Sequence, residues 1–186
     1  MTETIRDPAP KRFFLTGEPG CGKTTVARKA AKLLSFRGLK VGGMVTNEIR
    51  ERGNRLGFSV EDLTTGERGT LAFSSRGQGP RVGRYVVNIP DLERIGAGSI
   101  ERAVTDADLI VIDELGPMEL HSTRFVTSTD AALNSPKHIL ATIHKRANHP
   151  LILRVKSNPA CVILEVTREN REELPGQLAK RIMESK

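Results

Sequence analysis

Residues 17–24 read Gly17-Glu18-Pro19-Gly20-Cys21-Gly22-Lys23-Thr24, with Thr25 next. This fits G-x-x-x-x-G-K-[ST], the spacing of a phosphate-binding loop. Glycines at 17, 20 and 22 allow dihedrals and close approaches that a Cβ forbids. The amides from Glu18 to Thr24 are expected to cradle the β-phosphate of a nucleoside triphosphate. Lys23 is expected to reach the β- and γ-oxygens, and the Thr24 hydroxyl to ligate Mg²⁺. Thr25 is placed at the α-phosphate. These nine residues form the expected nucleotide site, with Lys23 also in a catalytic role.

Asp113 ends the apolar run Asp108-Leu109-Ile110-Val111-Ile112-Asp113. An acid there is positioned to hold Mg²⁺ through water, which makes Thr24 and Asp113 the expected metal residues. Glu114 follows directly. A carboxylate at that point can orient or deprotonate a water attacking the terminal phosphorus. Asp113 and Glu114 therefore complete the expected nucleotide site, with Glu114 and Lys23 as its catalytic pair. The chemistry is chiefly positioning and charge stabilisation.

The loop works only between a strand and a helix. Arg12–Thr16 reads as a buried strand and Thr25–Phe36 as a helix. Helix dipole and loop amides then converge on one anion. Lys40–Thr46 reads as a second strand. Asp91 is the expected N-cap of a helix running to about Thr105. The continuous apolar run before Asp113 is that of a strand buried on both faces of a parallel sheet. Further helices are expected near 122–134, 150–155 and 171–184, and strands at 138–143 and 161–166. Strands alternating with helices predict α/β architecture: a doubly wound, mostly parallel sheet of the P-loop kind. The expectation is a single domain over 1–186, with a loose leader at 1–10. Short β-like pieces broken by glycine turns at 47–86 predict a β-hairpin insertion.

Composition sets outer limits. The chain has 186 residues, 27% charged and 38% hydrophobic, which is globular. It contains no stretch long and apolar enough to span a membrane and no signal-peptide core, so an intracellular, cytoplasmic protein is expected. Two cysteines form no disulfide framework, and four scattered histidines show no zinc spacing. The net charge of +7 is uneven, with +8 in residues 1–86, −6 in 87–135 and +5 in 136–186. A basic balance can signal nucleic acid. With no helix-turn-helix, zinc-finger or RNA-binding motif beside it, attraction of a polyanionic nucleotide is favoured.

Three further groups stand out. The insertion carries seven arginines and no lysine: Arg50, Arg52, Arg55, Arg68, Arg76, Arg81 and Arg84. Arginine suits transition-state charge on phosphoryl groups, although surface charge is the commoner role for any one of them. Phe58 and Tyr85 are aromatic enough to stack on a base, and core packing is favoured for both. Thr167-Arg168-Glu169-Asn170-Arg171 follows the last expected strand, where it either meets the base and ribose or caps the final helix. No Asn-Lys-x-Asp element supports guanine specificity.

Taken together, these residues resemble the nucleoside-triphosphatase family first described from thermophiles, the THEP type. The similarity runs from about residue 12 to the C-terminus. Beyond the phosphate loop it rests on Val111-Ile112-Asp113-Glu114-Leu115-Gly116-Pro117-Met118-Glu119-Leu120. It also rests on Gly43–Arg50, Arg55–Phe58, Gly83–Val87 and Thr167–Arg171. The resemblance implies a RecA-like P-loop core. It also implies Mg²⁺-dependent hydrolysis of ATP, GTP, CTP and UTP to diphosphates with little base selectivity. Pro117 and Asn47 depart from the pattern, where a lysine and an acidic residue are expected. The first removes a charge role at its position and the second weakens a ligand role.

Overall fold

The computed structural model describes residues 11–74 and 77–184. The expected leader at 1–10 and Arg76 lie outside the described residues. The strands are β1 (Arg12–Thr16), β2 (Val41–Glu51), β3 (Asn54–Asp62), β4 (Arg68–Phe73), β5 (Arg81–Val82), β6 (Tyr85–Val87), β7 (Leu109–Leu115), β8 (His138–Ile143) and β9 (Cys161–Glu165). They form one sheet in the order β5-β6-β4-β3-β2-β7-β8-β1-β9. The half from β2 to β9 is parallel throughout. From β2 outward to β5 every pairing is antiparallel. The expected insertion thus continues the same sheet past the parallel core.

Alternating side chains on the central strands feed two cores. Phe13, Leu15, Leu109, Val111 and Leu140 face one side, and Phe14, Ile110, Ile112, Ile139 and Ala141 the other. The first side is covered by α1 (Lys23–Phe36) and α6 (Leu174–Met183). The second is covered by α3 (Gly98–Asp106), α4 (Thr123–Asn134) and α5 (Pro150–Ser157), together with α2 (Ile89–Asp91) and a π-helical stretch, Leu92–Ala97, before α3. Helices on both faces of the parallel strands make the sheet doubly wound. The magnitude is large: truncating one wholly buried Phe such as Phe14 costs about 3–5 kcal/mol.

Helix α1 shows how sequence sets the arrangement. Val26, Ala27, Ala30, Ala31 and Leu34 recur at helical spacing and are its buried stripe. Small alanines let the helix lie close to the sheet. The helix stops where Gly38 takes φ 89°, and the Leu39 amide donates back to the Leu34 carbonyl at 3.1 Å.

Several boundaries differ from the sequence reading. The first helix starts at Lys23, two residues early, because the loop turns straight into it. The second strand runs on to Glu51 because its outer half pairs with β3. Asp91 is not the helix cap. Asn88 accepts from the Asp91 amide and starts α2, while the Asp91 carboxylate accepts from the Thr70 amide on β4. The last helix begins at Leu174, since Asn170 and Thr167 bond each other in a turn before it.

Candidate nucleotide site

The phosphate loop leaves the carboxyl end of β1, and the next strand in the chain, β2, lies three places away in the sheet. That reversal of strand order opens a crevice above β1, β8 and β7, where open α/β sheets bind ligands. The crevice is a cavity of about 710 Å³. Gly17, Glu18, Pro19, Gly20, Gly22, Lys23, Thr24, Thr25 and Glu114 line it. Eight of the nine expected loop residues are thus brought together with one of the two expected acids.

Cys21 and Asp113 stand behind the lining. Cys21 is 9% exposed, with its sulfur tucked under the loop. A Cβ added at Gly17 would sit 2.9 Å from that sulfur and 2.6 Å from the Val166 carbonyl oxygen. Gly17 also takes φ 142°, where side chains are strained. Gly17→Ala is therefore expected to push the loop off Val166. The variant should bind triphosphate at least about tenfold more weakly, roughly 1.4 kcal/mol, by titration calorimetry. Wild-type affinity would show that the loop tolerates a Cβ there.

The Lys23 ammonium donates to the Gly17 and Glu18 carbonyls at 3.2 and 3.4 Å. It is held across the mouth of its own loop, with only 9% of the residue exposed. Lys145, in the segment after β8, bridges Glu18 and Glu165 at 2.8 and 3.1 Å and ties the loop to β9.

Asp113 is 1% exposed and well bonded. Its Oδ1 accepts from the Thr142 hydroxyl at 2.6 Å and the Thr24 hydroxyl at 3.1 Å, and its Oδ2 from the Thr46 hydroxyl at 3.4 Å. Burial pushes its carboxyl up from the ordinary range, and the bonds from Thr142 and Thr24 pull it back. The Glu114 carboxyl is likewise raised, first by burial, then by the Asp113 charge, with Lys23 opposing.

The residues present fit a magnesium ion. Thr24 and Asp113 already meet through oxygen atoms, and a hard divalent cation takes oxygen ligands. Among the described residues no group of three or more His, Cys, Asp or Glu is gathered for a metal. One hydroxyl and one carboxylate beside a phosphate cradle is the usual protein share of a magnesium site, because the ion keeps waters and takes phosphate oxygens.

Sequence reasoning missed part of the site. Thr46 of β2 and Thr142 of β8 orient Asp113 from both neighbouring strands. Thr142 left a signal, being a lone polar residue inside the apolar run of β8. His144, Lys145 and Arg146 line the cavity from the segment after β8. Burial, then Lys23 and Arg146, hold the His144 imidazole below its ordinary range, favouring the neutral ring. Arg28 of α1 also lines the cavity and donates to Asn47 at 2.8 Å.

Of the described insertion arginines, Arg55 alone lines the cavity. It is held on Glu48 at 2.6 Å and on the Tyr85 hydroxyl at 3.1 Å. Tyr85 is buried at 8% exposure. Phe58 is partly buried, lines the cavity and packs edge-on against Tyr85. Thr167 and Asn170 bond each other, and neither lines the cavity. Arg171 lies beside the loop, its Cδ 3.5 Å from where a Gly22 Cβ would be.

Comparison with known proteins agrees with this geometry. Residues 12–179 match the family model described as NTPase. The chain is 52% identical to the nucleoside-triphosphatase THEP1 of Thermofilum pendens, over 94% of this chain and 96% of that protein. It is 48% identical to the nucleoside-triphosphatase THEP1 of Methanosarcina barkeri, over 93% and 98%. The crystal structure of THEP1 from the hyperthermophile Aquifex aeolicus superposes with a TM-score of 0.82 at 31% identity, covering 92% of this chain and 98% of that one. The solution structure of a human cancer-related nucleoside triphosphatase gives 0.79 at 33% identity, covering 95% and 99%. A phosphate loop backed by a bonded strand acid, a doubly wound sheet, and this likeness over nearly the whole chain have one reading: the chain belongs to the NTPase family and is a P-loop enzyme of the nucleoside-triphosphatase type.

Proposed function

We propose that the chain hydrolyses nucleoside triphosphates to diphosphate and phosphate, with Mg²⁺ as cofactor and low base selectivity. The observation that carries this reading is Glu114. Its carboxylate lines the cavity beside the phosphate loop and directly follows the acid bonded to Thr24. Lys23 leaves the Gly17 and Glu18 carbonyls and takes the β- and γ-oxygens. Thr24 and Asp113 would hold a magnesium ion, which would neutralise phosphate charge. Glu114 orients a water whose oxygen bonds to the γ-phosphorus while the bond to the β–γ bridging oxygen breaks. The diphosphate leaves, and the water's proton passes to Glu114 or onward to phosphate.

Low base selectivity is supported by what is already spent. Thr167 and Asn170 satisfy each other, and Asn47 bonds Arg28 and Glu61. The basic balance is assigned to attracting the substrate. Among the described residues no helix is long and apolar enough to cross a membrane. A cytoplasmic setting is part of this reading, supported by the nucleotide substrate and by Cys21 and Cys161 as free thiols. The test is phosphate release from ATP, GTP, CTP and UTP with and without Mg²⁺. Comparable turnover of all four, lost on chelation, supports the reading. Turnover of one base only, or no metal dependence, rejects the corresponding part.

Among the described insertion arginines Arg55 lines the cavity, which makes it the candidate for contact with the terminal phosphate. The β2–β3 strands lie on the far side of the Asp113 strand from β9, so this wall and the Arg171 side of the loop belong to different parts of the sheet. Arg55→Ala is expected to lower kcat about tenfold or more, since an arginine on transferring phosphate is worth at least that. Arg50→Ala and Arg81→Ala should change it less than about twofold, because exposed charges contribute little. Equal small effects from all three would remove the finger role.

The same wall favours a second reading. Arg28, Glu48, Arg55 and Phe58 leave room opposite the loop for an acceptor, as in a small-molecule or nucleotide kinase. An acceptor panel decides: a kinase consumes triphosphate much faster when its acceptor is present, and a hydrolase does not.

A further inference from the structure

Glu119 is a buried acid that the proposed hydrolysis does not use. It lies in the single 3-10 turn Glu119–His121 between β7 and α4 and is 3% exposed. Two other buried carboxylates are well partnered: Arg102 pairs with Asp62 at 2.5 Å, where the Thr64 amide and Thr65 hydroxyl also donate, and Asp113 takes three threonine hydroxyls. Among the described residues no cation pairs with Glu119 in that way. The charges that bear on it are Glu114 and Asp113 of β7, both negative. Around the same turn, Glu93 accepts from Ser122, Arg124 of α4 pairs with Glu101, and His121 belongs to the turn itself. Lys23 of α1 acts on Glu114 instead.

The carboxyl nonetheless has a structural role. Its Oε2 lies against Gly116, at the start of the turn, and the backbones of Gly116 and Glu119 lower its pKa against the burial. The turn is closed by the Leu120 amide on the Gly116 carbonyl and the Ser122 amide on the Glu119 carbonyl, each 3.1 Å. Gly116 sits between the two glutamates. A Cβ there would lie 2.8 Å from Glu114 Oε1 and 3.0 Å from Glu119 Oε2. Both carboxylates thus border one glycine, at a space that a side chain there would fill.

We propose that Glu119 is a positioning residue for Glu114: its buried carboxyl, seated against Gly116, clamps the turn after β7 and fixes the water-orienting carboxylate. The inference rests on the reading of Glu114 given above. Burial, with the Glu114 charge next, pushes the Glu119 carboxyl up to about 8, so it holds its proton through neutral pH. As pH rises through that value, a second negative charge appears next to Glu114, behind the cavity wall. Turnover should then fall on the alkaline side.

The test is phosphate release from MgATP between pH 6 and 9.5 with wild type, Glu119→Gln, Glu119→Ala and Glu114→Gln. Glutamine keeps the shape against Gly116 but cannot ionise. Glu119→Gln is expected to keep at least half of the wild-type kcat at pH 7 and to lose the alkaline decline near pH 8. Glu119→Ala is expected to lose about tenfold in kcat with KM changed less than about threefold. If Glu119→Gln is as impaired as Glu119→Ala, the ionised form is needed and the proposal fails. It also fails if Glu119→Ala is fully active, or if the alkaline decline survives in Glu119→Gln. Should Glu119→Ala not fold, the glutamine variant and its pH profile still decide. Glu114→Gln separates the two readings. If it is inactive while the Glu119 results go against expectation, only this inference falls. If it is fully active, the role of Glu114 falls, and the positioning role with it.

Discussion

Replacing Glu114 by glutamine is expected to cut kcat by about 10²–10⁴-fold, the usual contribution of a positioned general base. Nucleotide affinity should change little. The argument is one of location and charge. Glu114 lines the cavity, whereas Asp113 is buried behind it and bonded to three threonine hydroxyls. Of the two acids, Glu114 is the one that lines the space where a water would be oriented. Burial and the Asp113 charge raise its carboxyl, which makes it a better proton acceptor than a free glutamate. Glutamine keeps the size and removes the basicity. Single-turnover phosphate release, with affinity from a non-hydrolysable analogue, separates the two effects. A variant that hydrolyses like wild type would falsify the assignment of water to Glu114.

Lys23→Ala is expected to lose about 10²–10³-fold in kcat, about 2.7–4 kcal/mol, as when one preorganised donor is taken from a developing charge. Unlike the Glu114 change, it should also raise KM, because the ammonium binds ground-state oxygens as well. The residue is 9% exposed and held on the Gly17 and Glu18 carbonyls. In a partly desolvated site its charge is screened less than at the surface. Truncation leaves those carbonyls facing the phosphate, so local repulsion adds to the loss. Lys23→Arg offers the check: a charge of different shape should recover affinity better than turnover. Equal kcat in wild type and Lys23→Ala would show that loop amides alone carry the phosphate.

Much of the site was legible because its information is local. Glycines at fixed offsets, a lysine and a threonine specify a loop conformation within eight consecutive residues. An apolar run ending in Asp113 announces a strand buried on both faces. The two-faced core follows from alternation along β1, β7 and β8. Helix and strand ends were less legible, since caps compete. Asn88 and Asp91 both suit an N-cap, and Asp91 is drawn away by the Thr70 amide of a strand distant in sequence.

The sequence by itself determined that a phosphate loop stands between a strand and a helix, that an acid pair follows a buried apolar run (the strand itself continues through the pair to Leu115), and that the sheet is α/β. These depend on backbone dihedrals and hydrophobic periodicity, which neighbours along the chain dictate. Only the tertiary structure decided that Thr46 and Thr142 hold Asp113, that Arg55 among the described insertion arginines faces the loop, and that Glu119 is buried against Glu114. Those depend on which strands lie side by side. Strand order is fixed by packing between segments far apart in the chain, where no local pattern reaches.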